Sequence, residues 1–321
     1  MGNIRHPRRG SEQFWPRKRS RHSIVRVRSW VAESKTKPLG FIAYKVGMTH
    51  VQFTDTRAKS PTKGETVAIP VTILECPPML VTGVAVYKQG VYGLNKVSTI
   101  LAPKQDKHLG KLLPLPKKEG KGLDSVTEFD DLRLMVRTIP EKVPSVSAKK
   151  PKMMEIGLGG STKDKLAFAQ KVLGKELAIN EVFEAGNLVD IRGVTKGKGF
   201  QGTVKRFGVP IRQHKAEKTK RGIGTLGSWT PKRVQHTVPQ SGKMGFHLRT
   251  EYNKKIVKIS QQPEEINSKG GIVRYGVVRN TYMMVHGSVA GPEKREVVLT
   301  TAYRPNKTVK EAVPELTHIS K

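Results

Sequence analysis

A single cysteine, Cys76, occurs in 321 residues. That excludes an internal disulfide and a cysteine-based zinc site, and it fits a reducing compartment. Acids are scarce as well: 26 Asp and Glu stand against 59 Lys and Arg, a formal net charge of +33. A charge of that size opposes compaction by self-repulsion unless a polyanion sits against it, so the expected partner is nucleic acid, with an anionic membrane surface as the weaker option. Long apolar runs are also missing. A membrane span needs about 18 apolar residues in a row, whereas the most apolar window, 67–87, is interrupted by Pro70, Glu75, Pro77 and Pro78. The first residues, MGNIRHPRRGSEQFWPRKRSRH, are basic without an apolar core, and His6 stands where a myristoylation signal needs Ser or Thr. The expectation is a cytoplasmic protein with no membrane partner.

Catalytic patterns are equally sparse. The nine histidines include no pair at i, i+4 with an intervening Glu, and no G-x-S-x-G elbow occurs. A Ser-His-Asp set drawn from distant segments stays open but unsupported. GKGFQG, 197–202, satisfies G-x-G-x-x-G and follows the candidate strand LVDIRGV, which raises a dinucleotide site. Its context fails, because Gly208 and Pro210 follow almost at once and no apolar strand ending in an acid lies about 20 residues on. As a Walker A loop it is one residue short between Gly193 and Gly197, and Gly199 stands at the Ser/Thr position. EIGLGGST, 155–162, reads as a tight turn feeding a capped helix rather than an anion cradle. The expectation is a protein that is not an enzyme, with no cofactor, metal or small-molecule substrate.

The charge that is present is segregated. Residues 1–37 hold eleven Lys or Arg against two acids, which reads as an extended arm ordered by its partner. Residues 122–190 are balanced, with ten basic and eleven acidic residues, and 192–258 return to seventeen against two. Alternation over Val67, Ile69, Val71 and Ile73 predicts a strand. FIAYKVGMTHVQF (41–53), LVTGVAVY (80–87), GIVRYGVV (271–278), TYMMVHGSV (281–289) and EVVLTTAY (296–303) carry similar content. Short strands at this spacing favour a barrel or sandwich. Helical signal sits in the balanced middle, where Ser161 and Asp164 form a capping pattern before Leu166, Ala169, Val172 and Leu173, and Gly174 supplies a stop. FDDLRLMVRTI, 129–139, is a second, shorter helix candidate. A helix-containing insert inside a β-domain follows.

The run 193–250 combines glycine with Lys and Arg and has almost no apolar period, and a loop of that length is generally functional or disordered. Within it, IGTLGSWTPKRVQ holds Trp229, one of three tryptophans, with no apolar neighbour at helix or strand spacing. Phe207, Trp229 and Phe246 are candidates to stack on exposed bases or sugars; charge alone does not separate this reading from an unstructured basic loop.

Phe183, Asp190, Gly193, Thr195, Gly197, Lys198, Gly199, Gly202 and Arg206 match in order and spacing the signature of the universal large-subunit ribosomal protein three (uL-three) family. The resemblance runs through the basic arm, FIAYKVGMTH, GSWTPKRV, SGKMGFHLRT and MVHGSVAGP. It implies a mainly β fold with an α+β insert: a basic arm over 1–37, a six-stranded elongation-factor-like β-barrel over 38–98 and 183–321, an inserted helix-containing domain over 99–182, and a long basic extension over 208–250. It implies a structural constituent of the large ribosomal subunit that binds near the 3′ end of the large-subunit rRNA and helps nucleate assembly. The extension would reach toward the peptidyl transferase centre with Trp229 at its tip, next to large-subunit proteins fourteen and twenty-four-e. Trp229, Lys232 and Arg233 would position rRNA there, with an indirect effect on aminoacyl-tRNA entry. The candidate RNA-binding set is Arg5, Arg8, Arg9, Arg17, Lys18, Arg19 and Arg21 in the arm; Lys196, Lys198, Lys205 and Arg206 at the signature; and Arg212, Lys215, Lys218, Lys220, Arg221, Trp229, Lys232, Arg233, Lys243 and Arg249 beyond it. Lys220 replaces the methylated histidine of eukaryotic members, the extension is shorter before its tip, and no long basic tail follows Tyr303, so the resemblance is to archaeal members. The rival from composition alone is a chromatin-like DNA-binding protein, which requires a helix or ribbon for the major groove; no such element is evident in the basic segments.

Overall fold

Alternating β-branched and aromatic residues dominate the strands of the computed structural model, which describes residues 8–57, 60–104, 107–116, 120, 122–123, 128–216, 218–306, 313 and 315–321. Its elements, in chain order, are β1 (Gly40–Thr54), β2 (Thr66–Glu75), β3 (Met79–Gly90), β4 (Gly93–Leu101), β5 (Asp131–Arg137), β6 (Met153–Gly157), α1 (Thr162–Val172), β7 (Glu176–Leu177), β8 (Leu188–Val194), β9 (Phe200–Gln201), α2 (Thr203–Phe207), β10 (Gly242–Lys243), β11 (Leu248–Ser260), β12 (Tyr282–His286), β13 (Glu296–Thr301) and β14 (Leu316–Ile319). The protein is mainly β, as the patterning predicts. Its residues fall into two units, a larger one of Ser23–Gly193 with Arg249–Lys321 and a smaller one of Met1–His22 with Val194–Leu248.

In the larger unit one sheet has the order β13-β8-β11-β12-β2-β1-β14, and a further pairing of β13 with β1 closes six of these strands into a ring. β1 makes this possible by its length. Its first residues, Gly40–Tyr44, pair with β13, while Val51–Phe53 pair with β14, and β2 runs along its other edge. Tyr44, Val46, Val51, Val71, Ile73, Val257, Tyr282 and Met284 meet in one buried cluster. Burying such side chains contributes about 1.5–3 kcal/mol each before entropy is counted, so this cluster anchors the ring. Asp190, a signature residue on β8, is fully buried and serves the fold: its carboxylate accepts from the Asn253 N–H (3.0 Å) on β11 and the Tyr303 N–H (2.9 Å) just after β13.

The second sheet has the order β4-β3-β5-β6, with β7 on β3, and α1 packs against β5. The Ser161 side chain caps α1 by accepting from the Asp164 N–H, as the sequence predicts. Three expectations change here. Within 129–139, residues Asp131–Arg137 form strand β5 rather than a helix, because Leu132, Leu134 and Val136 recur at period two and β5 is paired on both sides, by β3 and β6. Residues 80–87, read with the first barrel segment 38–98, pair with β4 and β5 and so belong to the second sheet. Residues 271–278 are not a strand: the Ile272–Gly276 bridge closes a turn whose Tyr275 is buried. β11, hidden among Lys254, Lys255 and Lys258, went unpredicted.

The arm divides. Residues 23–37 find partners within the larger unit instead of awaiting one: Val25 and Val27 are buried, and Ser23 Oγ donates to Glu296 Oε1 at 2.6 Å. The Trp30 indole lies on Gly157 and Gly40, where an added Cβ would come within 2.6 and 3.0 Å of the ring. The 155–162 loop is likewise occupied, since Gly160 N–H donates to Glu33 O at 2.8 Å and a Cβ on Gly159 would meet Lys35 O at 2.4 Å. It is a packed turn, as expected, and not an anion cradle.

Candidate nucleic-acid interface

The smaller unit holds nineteen Lys or Arg and two acids. What orders such a cation-rich segment is a small set of backbone and ring contacts. α2 ends where Gly208 enters the left-handed region (φ 69°), and its Phe207 ring is buried, 8% exposed. The Trp15 ring lies 6.1 Å from it, and Gly10 approaches so closely that a Cβ would stand 2.7 Å from the ring. The Arg17 and Arg206 guanidiniums lie 4.1 and 5.0 Å from the ring centre, within cation–π range. Phe207 is therefore the packing nucleus of this unit, not the base-stacking surface its sequence context suggests.

Both arginines are also held by backbone oxygens. Arg17 Nη1 donates to Arg206 O at 2.7 Å, while Arg206 donates through Nε to Lys243 O (3.1 Å) and through Nη1 to Gln240 O (2.8 Å). Gly242 leaves room for that guanidinium, since a Cβ there would lie 2.7 Å from Nη1. Arg8 donates to Thr237 O (3.0 Å) and pairs with Glu12 (2.8 Å).

His247 joins arm and loop. Gly245 N–H donates to its Nε2 (3.2 Å), so Nδ1 carries the proton and donates to Lys18 O (2.8 Å). Its backbone exchanges bonds with Thr195, and Ser20 N–H donates to Phe246 O at 2.8 Å. The glycine loop that resembles a nucleotide motif spends its backbone groups here: Lys198 N–H donates to Met244 O, and Met244 N–H to Gly199 O, each at 2.9 Å. Gly245 sits at φ 76°, and a Cβ on it would be 2.1 Å from Lys196 O. Gly245→Ala should destabilise the smaller unit by at least about 1–3 kcal/mol from backbone strain alone, read out as faster proteolysis within 194–248; a variant as resistant as the parent would contradict this close approach.

The remaining candidate cations are mostly in solvent. Arg9, Lys18, Arg19, Arg21, Lys196, Lys198, Lys205, Lys215, Lys218, Lys220, Arg221, Lys232, Arg233 and Lys243 are exposed, as is Arg212, which also donates to Thr219 Oγ1. Arg249 differs: it lies on β11 in the larger unit, half-buried, and burial pushes its guanidinium pKa down from the ordinary value. Arg5 lies outside the described residues. Between Gly208 and Ser241 the described residues form neither helix nor strand.

Trp229 is 83% exposed. Lys232 N–H donates to its carbonyl (3.0 Å), closing a turn that brings Lys232 Nζ to 5.7 Å from the indole centre. The sequence reading missed a second exposed ring, Phe200 on β9, 72% exposed; its position inside the glycine pattern GKGFQG was the available signal. It also missed Trp15, whose ring partners Phe207 and His236 lie far along the chain. Phe246 is half-buried with φ 54°.

Among the described residues no group of three or more His, Cys, Asp or Glu could hold a metal, and burial pushes the Cys76 thiol pKa up, away from reactivity. Exposed cations on a backbone-braced frame, with the Phe14, Phe200 and Trp229 rings left in solvent, form a surface suited to a polyanion. The chain belongs to the family described as Ribosomal protein L3, whose model matches residues 1–320. It is 47% identical over 323 residues to the large ribosomal subunit protein uL3 of Methanococcus vannielii, covering 98% of this chain and 96% of that protein. The uL3 proteins of Archaeoglobus fulgidus (45% identical, 94% and 93% covered) and Methanocaldococcus jannaschii (44%, 99% and 97%) are similar over comparable lengths.

Proposed function

We propose that this chain is a structural, non-catalytic constituent of the large ribosomal subunit that binds large-subunit rRNA mainly through its smaller unit. The observation that carries this reading is the concentration of nineteen cations and two acids in residues 1–22 and 194–248 of a member of this family. Lys and Arg neutralise phosphates that crowd where RNA helices pack, and glycines let main chain enter narrow gaps. On this reading the six-strand ring is the elongation-factor-like barrel, and the second sheet with α1 is the inserted domain, beginning near β3 rather than at residue 99. The 208–250 segment is the extension, with Trp229, Lys232 and Arg233 near the peptidyl transferase centre. The contact near the 3′ end of the rRNA, the role in nucleating assembly, and the neighbours fourteen and twenty-four-e follow from the family resemblance.

A chromatin-like role fits less well, because α2, the one helix of the smaller unit among the described residues, has five residues and is too short to read a major groove. Sedimentation of a cell lysate tests the main reading. The protein should travel with large subunits at moderate salt, and its recovery in the soluble pool would refute the assignment.

Trp229→Ala should leave thermal stability within about 0.5 kcal/mol of the parent, as for a surface site. It should also weaken rRNA binding by about 1–3 kcal/mol, the stacking of one base, and slow peptide synthesis. Unfolding of the isolated variant would instead make Trp229 a core residue.

A further inference from the structure

The contacts around Phe207 leave a cleft of about 480 Å³ in the smaller unit, lined by Trp15, Arg17, Arg206, Phe207, His236 and Val238 among others. That volume lies within the range of about 300–1,000 Å³ typical of small-molecule sites. Three features identify what it takes. Its lining carries rings and two guanidiniums but no carboxylate. The rings are set at an angle, His236 edge-on to Trp15 at 6.0 Å and 73°. The polar groups are fixed in advance: the Trp15 indole N–H donates to Ser11 O at 2.8 Å, and both arginines are pinned to backbone oxygens. A flat, electron-rich ring entering the cleft meets the Trp15 and His236 rings, which are not buried as Phe207 is, beside guanidiniums that need no further ordering, the kind of surface on which splayed-out RNA bases stack. A phosphate alone would leave the Trp15 ring and the apolar wall of Val234 and Val238 unused, and an apolar peptide would have to desolvate beside two guanidiniums.

We propose that this cleft receives one unstacked nucleobase of the bound RNA, a site separate from the exposed Trp229 turn. The proposal rests on the reading that the smaller unit binds rRNA and adds a base-specific contact to a mainly electrostatic one. Stacking and phosphate contacts separate by salt dependence, because only phosphate contacts release counterions.

The test measures binding of the full chain to large-subunit rRNA across a salt series, for the parent, for Val238→Phe, which fills the cleft, and for the Lys232→Gln/Arg233→Gln double variant. Val238→Phe should weaken binding about 5- to 150-fold, the loss of one stacked base, with an unchanged salt slope. The double variant should instead reduce the slope by about 1.5. A folded Val238→Phe protein that binds like the parent, or one whose slope falls with its affinity, would overturn the base site. Absence of rRNA binding by the parent would refute the underlying reading instead.

If Val238→Phe does not fold, the parent decides the matter. The Trp15 indole N–H resonance, identified by its loss in Trp15→Phe, should shift on adding an adenosine hexaribonucleotide and stay put with the same hexamer carrying abasic central positions. An equal shift with both, or none with either, would overturn the proposal.

Discussion

Glu75→Ala is expected to destabilise the larger unit by about 3–5 kcal/mol, the combined cost of donors left without their acceptor and of the space the side chain vacates. Glu75 ends β2 with 1% exposure, and four donors converge on its carboxylate. They are the Tyr275 hydroxyl at 2.5 Å, the backbone N–H groups of Arg279 (3.2 Å) and Asn280 (3.1 Å), and Asn280 Nδ2 at 2.7 Å. Burial and this carboxylate together push the Tyr275 hydroxyl pKa well above its ordinary value, so it stays a donor. Alanine would leave the buried Tyr275 hydroxyl and the Arg279 and Asn280 backbone N–H groups without this acceptor, at about 1–3 kcal/mol for each buried group left unsatisfied, while Asn280 Nδ2 keeps its bond to Lys142 O. Glu75→Gln, which keeps one acceptor oxygen, should cost less. Denaturant unfolding of the variants checks this, and an unchanged midpoint for Glu75→Ala would contradict it.

The second large effect concerns salt. Sixteen of the nineteen Lys and Arg of the smaller unit are described and exposed, more than enough to meet 6–10 phosphates. Contacts in that number imply a fall in rRNA affinity of about 10³ to 10⁵ between 50 and 200 mM salt, with a shallower dependence where the RNA is single-stranded. Filter binding or fluorescence titration across that range reads the slope directly. A nearly flat dependence would mean that the exposed cations do not touch phosphate. Duplex DNA at matched salt should show a similar slope but weaker binding, since it offers no splayed bases to the rings of this unit.

The legibility of the fold in the sequence follows the locality of the forces. β1, β2, β8, β12 and β13 were readable because each is a short run rich in β-branched and apolar residues bounded by turn residues, and α1 was readable because its cap is three residues wide. β5 was misread because a short apolar run does not distinguish strand from helix until β3 and β6 pair with it. Residues 271–278 were misread because bonds between Ile272 and Gly276 close a local turn there, and the Tyr275 side chain it buries is anchored on Glu75, two hundred residues earlier. In the candidate site, Trp229 was legible as a tryptophan with no local core. The roles of Arg17, Arg206, Phe207 and His247 were not, because each depends on contacts between the arm and a loop far along the chain. The sequence located the charge; the structure separates the exposed cations from the two arginines that brace the frame.

Ultraviolet crosslinking of purified large subunits, with the crosslinked peptides identified by mass spectrometry, bears most directly on the assignment of RNA binding to the smaller unit. The expected result is that crosslinks to rRNA concentrate in 8–22 and 194–248, with Trp229 among the modified residues. Crosslinks confined to the balanced segment 128–190, with none in the smaller unit, would contradict it.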